Sequence, residues 1–141
     1  MIMQVNDQLK AHTESSELQY VLLSNGTFSG MCGFFIIMMS SATGDLLGTH
    51  DYLPNWAFVI GGGNLALYGC ILYVIASLKP IPRVWVMISL VLDICWVLGS
   101  IAIATLYHTS LSQTAPVLIV AIAFVVAGFA YLQWKYLSQS A

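Results

Sequence analysis

The chain has 141 residues, 59% of them apolar and 7% charged, with a formal net charge of −2. A water-soluble domain this small has a large surface to cover with polar groups, and four basic and six acidic side chains are too few to do it. The composition therefore excludes an ordinary soluble domain and, with so small a charge, offers nothing to a nucleic acid. Lipid is the expected surrounding, for one domain by length.

In chain order, residues 1–19 are polar and mildly acidic and read as a cytoplasmic tail. In a short surface helix, Ile2, Val5 and Leu9 would share one side. A signal peptide would need a basic start and a short apolar core, and this start has neither. Crossing a hydrocarbon core of about 30 Å takes about 20 apolar residues. Four stretches qualify: Tyr20 to Ala42, Pro54 to Leu78, Val84 to Tyr107, and Pro116 to Tyr136. Backbone polar groups must pair internally in lipid, so each stretch is expected as a helix. The fold class is thus all-α, a four-transmembrane-helix up-down bundle over residues 20–136. A short tail, 137–141, follows. The connections Thr43 to Leu53, Lys79 to Arg83 and His108 to Ala115 are short, which makes successive helices antiparallel neighbours.

Lys10, Lys79, Arg83 and Lys135 all fall on one side of such a topology. The positive-inside rule puts that side, and both termini, in the cytoplasm. Aromatic residues mark the two interfaces: Tyr20, Trp85, Trp134 and Tyr136 on the inner side, Tyr52, Trp56 and Tyr107 on the outer.

Asp93, in the third span, is the residue with most to say. An aspartate at a helix centre costs about 2.5–3.5 kcal/mol on insertion scales, so it is expected to face the bundle interior or a wet cavity and to have a partner. Burial disfavours a charge there, and a neutral acid is able to donate a hydrogen bond or exchange a proton. Helical spacing aligns Ser89, Asp93, Trp96, Ser100 and Tyr107. Asn64 of the second span is near mid-depth on a face with Gly61 and Tyr68, and Asn25 of the first shares a face with Ser29 and Cys32. These positions suggest a buried polar cluster of Asn25, Asn64, Tyr68 and Asp93, with an Asp93–Asn64 contact and with Trp96 and Ser100 alongside. Such a cluster serves as glue between helices, as a ligand or proton site, or as a contact to another subunit.

Small residues make a second pattern. Gly26, Gly30 and Gly33 lie in the first span and Gly61, Gly62 and Gly63 in the second, where they let helix backbones approach closely, within the bundle or between copies. The triple glycine is also a possible hinge. No metal site is expected: His50 and His108 are loop residues without helical ligand spacing. Cys32, Cys70 and Cys95 form no CxxC pair, and no catalytic set can be assembled.

The stretch from Leu53 to about Gln133 resembles a loose group of small four-span bacterial membrane proteins without an assigned activity. Leu53-Pro54-Asn55-Trp56, Gly61-Gly62-Gly63-Asn64-Leu65, the Lys79-Pro80 turn and Trp96-Val97-Leu98-Gly99-Ser100 carry the likeness. It implies four spans in a bacterial inner membrane and no particular chemistry. Small multidrug transporters are similar in span number but carry their acid in the first span, where this chain has Asn25. Four-helix quinone-linked thiol oxidoreductases need the absent CxxC pair.

With such small loops, the sequence reading is a non-enzymatic accessory or assembly subunit of a membrane complex, packing against other membrane subunits or itself. The alternative is a proton-linked transporter or channel component, or a binder of a lipid, quinone or pigment, using Asp93.

Overall fold

The structure, a computed structural model, describes residues 2–49, 51 and 53–139, with side chains for all of these except 2–15 and 139. His50, Tyr52 and the side chains of Ile2, Val5, Leu9 and Lys10 lie outside the described set. Among the described residues there are five helices and no strand: α1 (Ile2–Met38), α2 (Ser40–Leu47), α3 (Asn55–Ser77), α4 (Arg83–Leu106) and α5 (Ala115–Gln139). Four segments are long and apolar enough to cross a bilayer: Ser16–Met38, Asn55–Ser77, Arg83–Leu106 and Ala115–Ser138. Their outward faces are large and apolar, with Phe124 81% exposed. A water-soluble surface rarely carries contiguous apolar area on that scale.

Helix ends follow local chemistry. Pro54 and Pro82 sit just before the first turns of α3 and α4, where a missing N–H costs nothing. α2 stops at Gly48, whose φ of 70° is the left-handed conformation that glycine enters without a Cβ penalty. Its N–H bonds Asp45 O at 3.1 Å, and the Thr49 N–H bonds Gly44 O at 3.0 Å.

Several features differ from the sequence reading, among them that α5 runs on to Gln139 through the expected C-terminal tail and buries Leu137. Residues 2–19, expected as a tail, continue α1. No glycine or proline precedes Gly26, and extending a formed helix avoids the cost of nucleation. The first span ends at Met38 rather than Ala42, and the connection after it contains α2. Only Met39 is non-helical between them, and the Thr43 hydroxyl bonds Met39 O at 2.8 Å, a back-bond of the kind that bends helices. The triple glycine interrupts nothing, since α3 runs through it as one helix.

α1 and α3 pack along their length, α5 packs on α1, and α4 on α5. In lipid the helices gain little from apolar burial against each other, so close approach and hydrogen bonds decide the packing. Glycine makes the α1–α3 approach possible. A Cβ on Gly33 would stand 2.5 Å from Ala66 N and Gly62 O, and one on Gly69 would stand 2.6 Å from Gly26 O. Gly26 faces Gly69 while Gly33 faces Gly62, so the two helices are antiparallel. Gly30 lends backbone to the Gly69 contact, whereas Gly61 and Gly63 have open space where a Cβ would go. Those last two are not packing glycines. They are exposed or half-buried on the faces of α3 turned away from α1.

The ring order is therefore α3, α1, α5, α4, and the seam between α3 and α4 is left nearly uncontacted although these helices are consecutive in sequence. At one end of the bundle Leu22, Leu72, Ile75, Ala76, Val86 and Leu137 form a buried core. Arg83 Nη2 donates to Leu137 O at 2.9 Å, and Tyr136 OH donates to Glu17 Oε2 at 2.7 Å. Tyr136, expected as an interfacial anchor, is buried between α1 and α5 by that bond. At the other end Ser112, after α4, joins the end of α2: its N–H bonds Leu47 O at 3.0 Å and its hydroxyl bonds Leu46 O.

Candidate functional site

Asp93 lies about ten residues, or ~15 Å, into α4, near the middle of a hydrocarbon core about 30 Å thick. It is 2% exposed. Its carboxyl group accepts a hydrogen bond from each of the other three spans. Asn25 Nδ2 of α1 donates to Oδ2 at 2.7 Å, Gln133 Nε2 of α5 donates to the same oxygen at 2.8 Å, and Tyr68 OH of α3 donates to Oδ1 at 2.8 Å.

The outer ends of those donors are held in turn. Ser29 Oγ donates to Asn25 Oδ1 at 3.3 Å, and Ser89 Oγ donates to Gln133 Oε1 at 2.7 Å. Both supporting serines are buried. Ser29 stands one turn after Asn25 on α1 and Ser89 one turn before Asp93 on α4, the i,i+4 spacing at which helical side chains meet. The Tyr68 hydroxyl also lies 3.3 Å from Ser89 O, a second acceptor for its proton. All three donors to Asp93 are neutral. Interhelical hydrogen bonds of this kind contribute about 0.6–1.7 kcal/mol each, so three of them offset most of the roughly 2.5–3.5 kcal/mol cost of inserting an aspartate.

Beside this node is a cavity of about 380 Å³. Phe28, Ser29 and Cys32 of α1 with Ile122 and Val126 of α5 form its back wall. Gly61, Asn64, Leu65 and Tyr68 of α3 and Leu92, Asp93 and Trp96 of α4 form its sides. α3 and α4 scarcely meet, and the cavity is a cleft with residues of both helices along its walls, the bonded pair Tyr68 and Asp93 among them.

The polar cluster expected from the sequence is thus partly reassigned. Asn25, Tyr68 and Asp93 come together as expected, but Asn64 makes no hydrogen bond to Asp93 among the described residues. It is one helical turn from Tyr68, exposed on the cleft wall, and the longer tyrosine is the α3 side chain able to bridge the wide seam. The buried stripe of α4 is Val86, Ser89, Asp93, Ser100 and Ala104. Trp96 stands at its edge, 46% exposed, and lines the cleft; Tyr107 is exposed beyond the helix end. Ser100 is buried two turns from Asp93, outside the hydrogen-bonded set. Gln133 was not among the expected residues. It stands in an aromatic and basic terminal turn, where a polar side chain is ordinary. Its signal was its spacing from Ala123, Val126 and Ala130, which share its buried face. Among the described residues His108 bonds Thr105 O of its own turn, and no group of three metal-ligating side chains occurs there.

Four helices long and apolar enough to cross a bilayer, tied together by one buried acid, fit a small α-helical membrane protein. Comparison of the chain with known protein families, curated proteins and solved structures finds no match.

Proposed function

We propose that this protein binds a small lipophilic molecule in the cleft between α3 and α4. The observation that supports the reading is the cleft itself. Its volume of about 380 Å³ falls in the range of roughly 300–1,000 Å³ typical of small-molecule sites, which are largely apolar with a few convergent polar groups. Tyr68 and Asp93 are those groups here, the carboxyl held by the Asn25 and Gln133 amides and the Tyr68 hydroxyl held by the carboxyl. A subunit acting by packing alone gains nothing from an opening held at mid-membrane, so the cleft favours ligand binding over the accessory role.

The basic residues and the resemblance to small four-span bacterial proteins support a bacterial inner-membrane location. Both termini and the Lys79–Arg83 connection then face the cytoplasm.

Gly61 supplies the test. A Cβ there meets nothing within 4 Å, so Gly61→Leu fills the cleft without disturbing the α1–α3 contact. The wild type and this variant would be purified gently from the native membrane and their organic extracts compared by mass spectrometry and visible absorbance. A stoichiometric lipophile present with the wild type and lost with Gly61→Leu is the expected result. Extracts that both match the bulk lipid composition would remove the proposal.

A further inference from the structure

Among the groups bonded to Asp93, one can turn without breaking the rest. Oδ2 of the carboxyl takes the Asn25 and Gln133 amide N–H groups at 2.7 and 2.8 Å. The far ends of both amides are held by Ser29 and Ser89, so flipping either amide would cost two bonds at once. Oδ1 takes the Tyr68 hydroxyl at 2.8 Å. That hydroxyl has a second acceptor within reach, Ser89 O at 3.3 Å, and a phenolic O–H both donates and accepts.

We propose that Asp93 is a reversible proton-binding site, with the Tyr68 hydroxyl as the part that adapts to its charge. As an anion, Asp93 accepts all three hydrogen bonds. A proton taken from water then bonds to Oδ1 and the carboxylate becomes a neutral acid. The Tyr68 O–H turns to Ser89 O, and its oxygen accepts the new O–H of Asp93. Every group of the set keeps a partner in both states, and no amide has to flip. On release the proton returns to water and the hydroxyl turns back.

The surroundings permit both states. Apolar burial and three donors act on a carboxyl in opposite senses. Asn25 reaches it from α1, Tyr68 from α3 and Gln133 from α5, and Cys32 of α1 lines the same cleft. Tyr68 and Cys32 are the titratable members of that group, and both are neutral near pH 7. Among the described residues no lysine or arginine pairs with Asp93 to lock it as an anion. Tyr68 and Asp93 both line the cleft, so packed helix does not seal them on every side. For holding helices together an asparagine would serve as well, with no ion to desolvate. An ionisable group kept inside a membrane span is the one that can carry a proton. The site requires no ligand in the cleft.

The test is infrared difference spectroscopy of the full chain in phosphatidylcholine vesicles as pH is changed, with ring-deuterated tyrosine to mark the phenol bands. In the wild type a protonated-carboxyl C=O band is expected to grow as pH falls. A tyrosine band should shift at the same midpoint. Asp93→Asn leaves the other acids in place and should lose both signals. Tyr68→Phe should lose the tyrosine shift. It should also displace the carboxyl midpoint about five- to tenfold in proton concentration, because a hydrogen bond to a charged group is stronger than one to a neutral group. An Asp93 carboxyl band of constant height, or none, at every pH where the chain stays helical would overturn the proposal. So would an Asp93 band that titrates without a tyrosine component. If Tyr68→Phe does not fold, the wild-type and Asp93→Asn spectra decide alone.

Discussion

Ser89 Oγ donates to Gln133 Oε1 at 2.7 Å, and this bond turns the Gln133 amide so that its nitrogen faces Asp93. The serine has one proton and a second acceptor, Val86 O at 2.9 Å, so the orienting bond is shared. Ser89→Ala is therefore expected to destabilise the bundle mildly, by about 0.6–1.7 kcal/mol. Gln133→Leu takes a donor from the buried carboxyl itself and is expected to cost more, about 1–3 kcal/mol. Reversible unfolding in mixed micelles measures both, and the reverse order would refute this account of the node.

Tyr68 has two acceptors within reach, Asp93 Oδ1 at 2.8 Å and Ser89 O at 3.3 Å. In Asp93→Asn the new NH₂ can point at Tyr68, which then accepts from it and donates to Ser89 O, while the remaining oxygen keeps Asn25 and Gln133. Asp93→Asn alone should thus lose less than about 1 kcal/mol. Combining it with Tyr68→Phe strands the NH₂, so the pair should exceed the sum of the singles by about 0.5–3 kcal/mol. A double-mutant cycle read by thermal unfolding decides it; additivity would mean that Tyr68 does not adapt.

Two glycines in the two packed helices should respond with opposite sign. Gly33→Ala puts a methyl 2.5 Å from Ala66 N and Gly62 O. Backbone atoms cannot step aside individually, so α1 and α3 must separate, at a cost of about 1–3 kcal/mol. Gly63→Ala enters open space and should gain about 0.5–1 kcal/mol from helix propensity. Unfolding midpoints of the two variants give the comparison directly.

Val91 on α4 and Leu118 on α5 are exposed on the outside of the bundle, where hydrocarbon is the expected neighbour. Val91→Cys and Leu118→Cys should resist membrane-impermeant maleimides in intact cells, yet react with a bilayer-soluble one. Free modification by the impermeant reagent would contradict the membrane-spanning architecture.

The four spans were legible because an apolar run of about 20 residues has few other uses. The extension of α1 back to Ile2, and α2, were not: polar helices outside the hydrocarbon leave no hydropathy signal, and their presence depends on the absence of breakers and on caps such as Gly48. Asp93 announced itself by its insertion cost, and Asn25 and Tyr68 by depth and face. Depth, however, fixes a partner only to within a helical turn. That margin separates Asn64, on the cleft wall, from Tyr68, in the node. The cleft was illegible for a related reason. Short connections make consecutive helices neighbours, but nothing in the chain of letters says that α3 would close on α1 through Gly33, Gly62 and Gly69 and leave its other neighbour, α4, at a distance.

For a ligand of the kind proposed above, that seam sets which concentration governs binding. A pocket facing water fills according to the molarity of its ligand in solution. An entrance set in the plane of the bilayer fills according to mole fraction among the lipids, which for an oily solute exceeds its aqueous level many times over. Modest intrinsic attraction then suffices for full occupancy, and the occupant arrives and departs by lateral diffusion without crossing an interface.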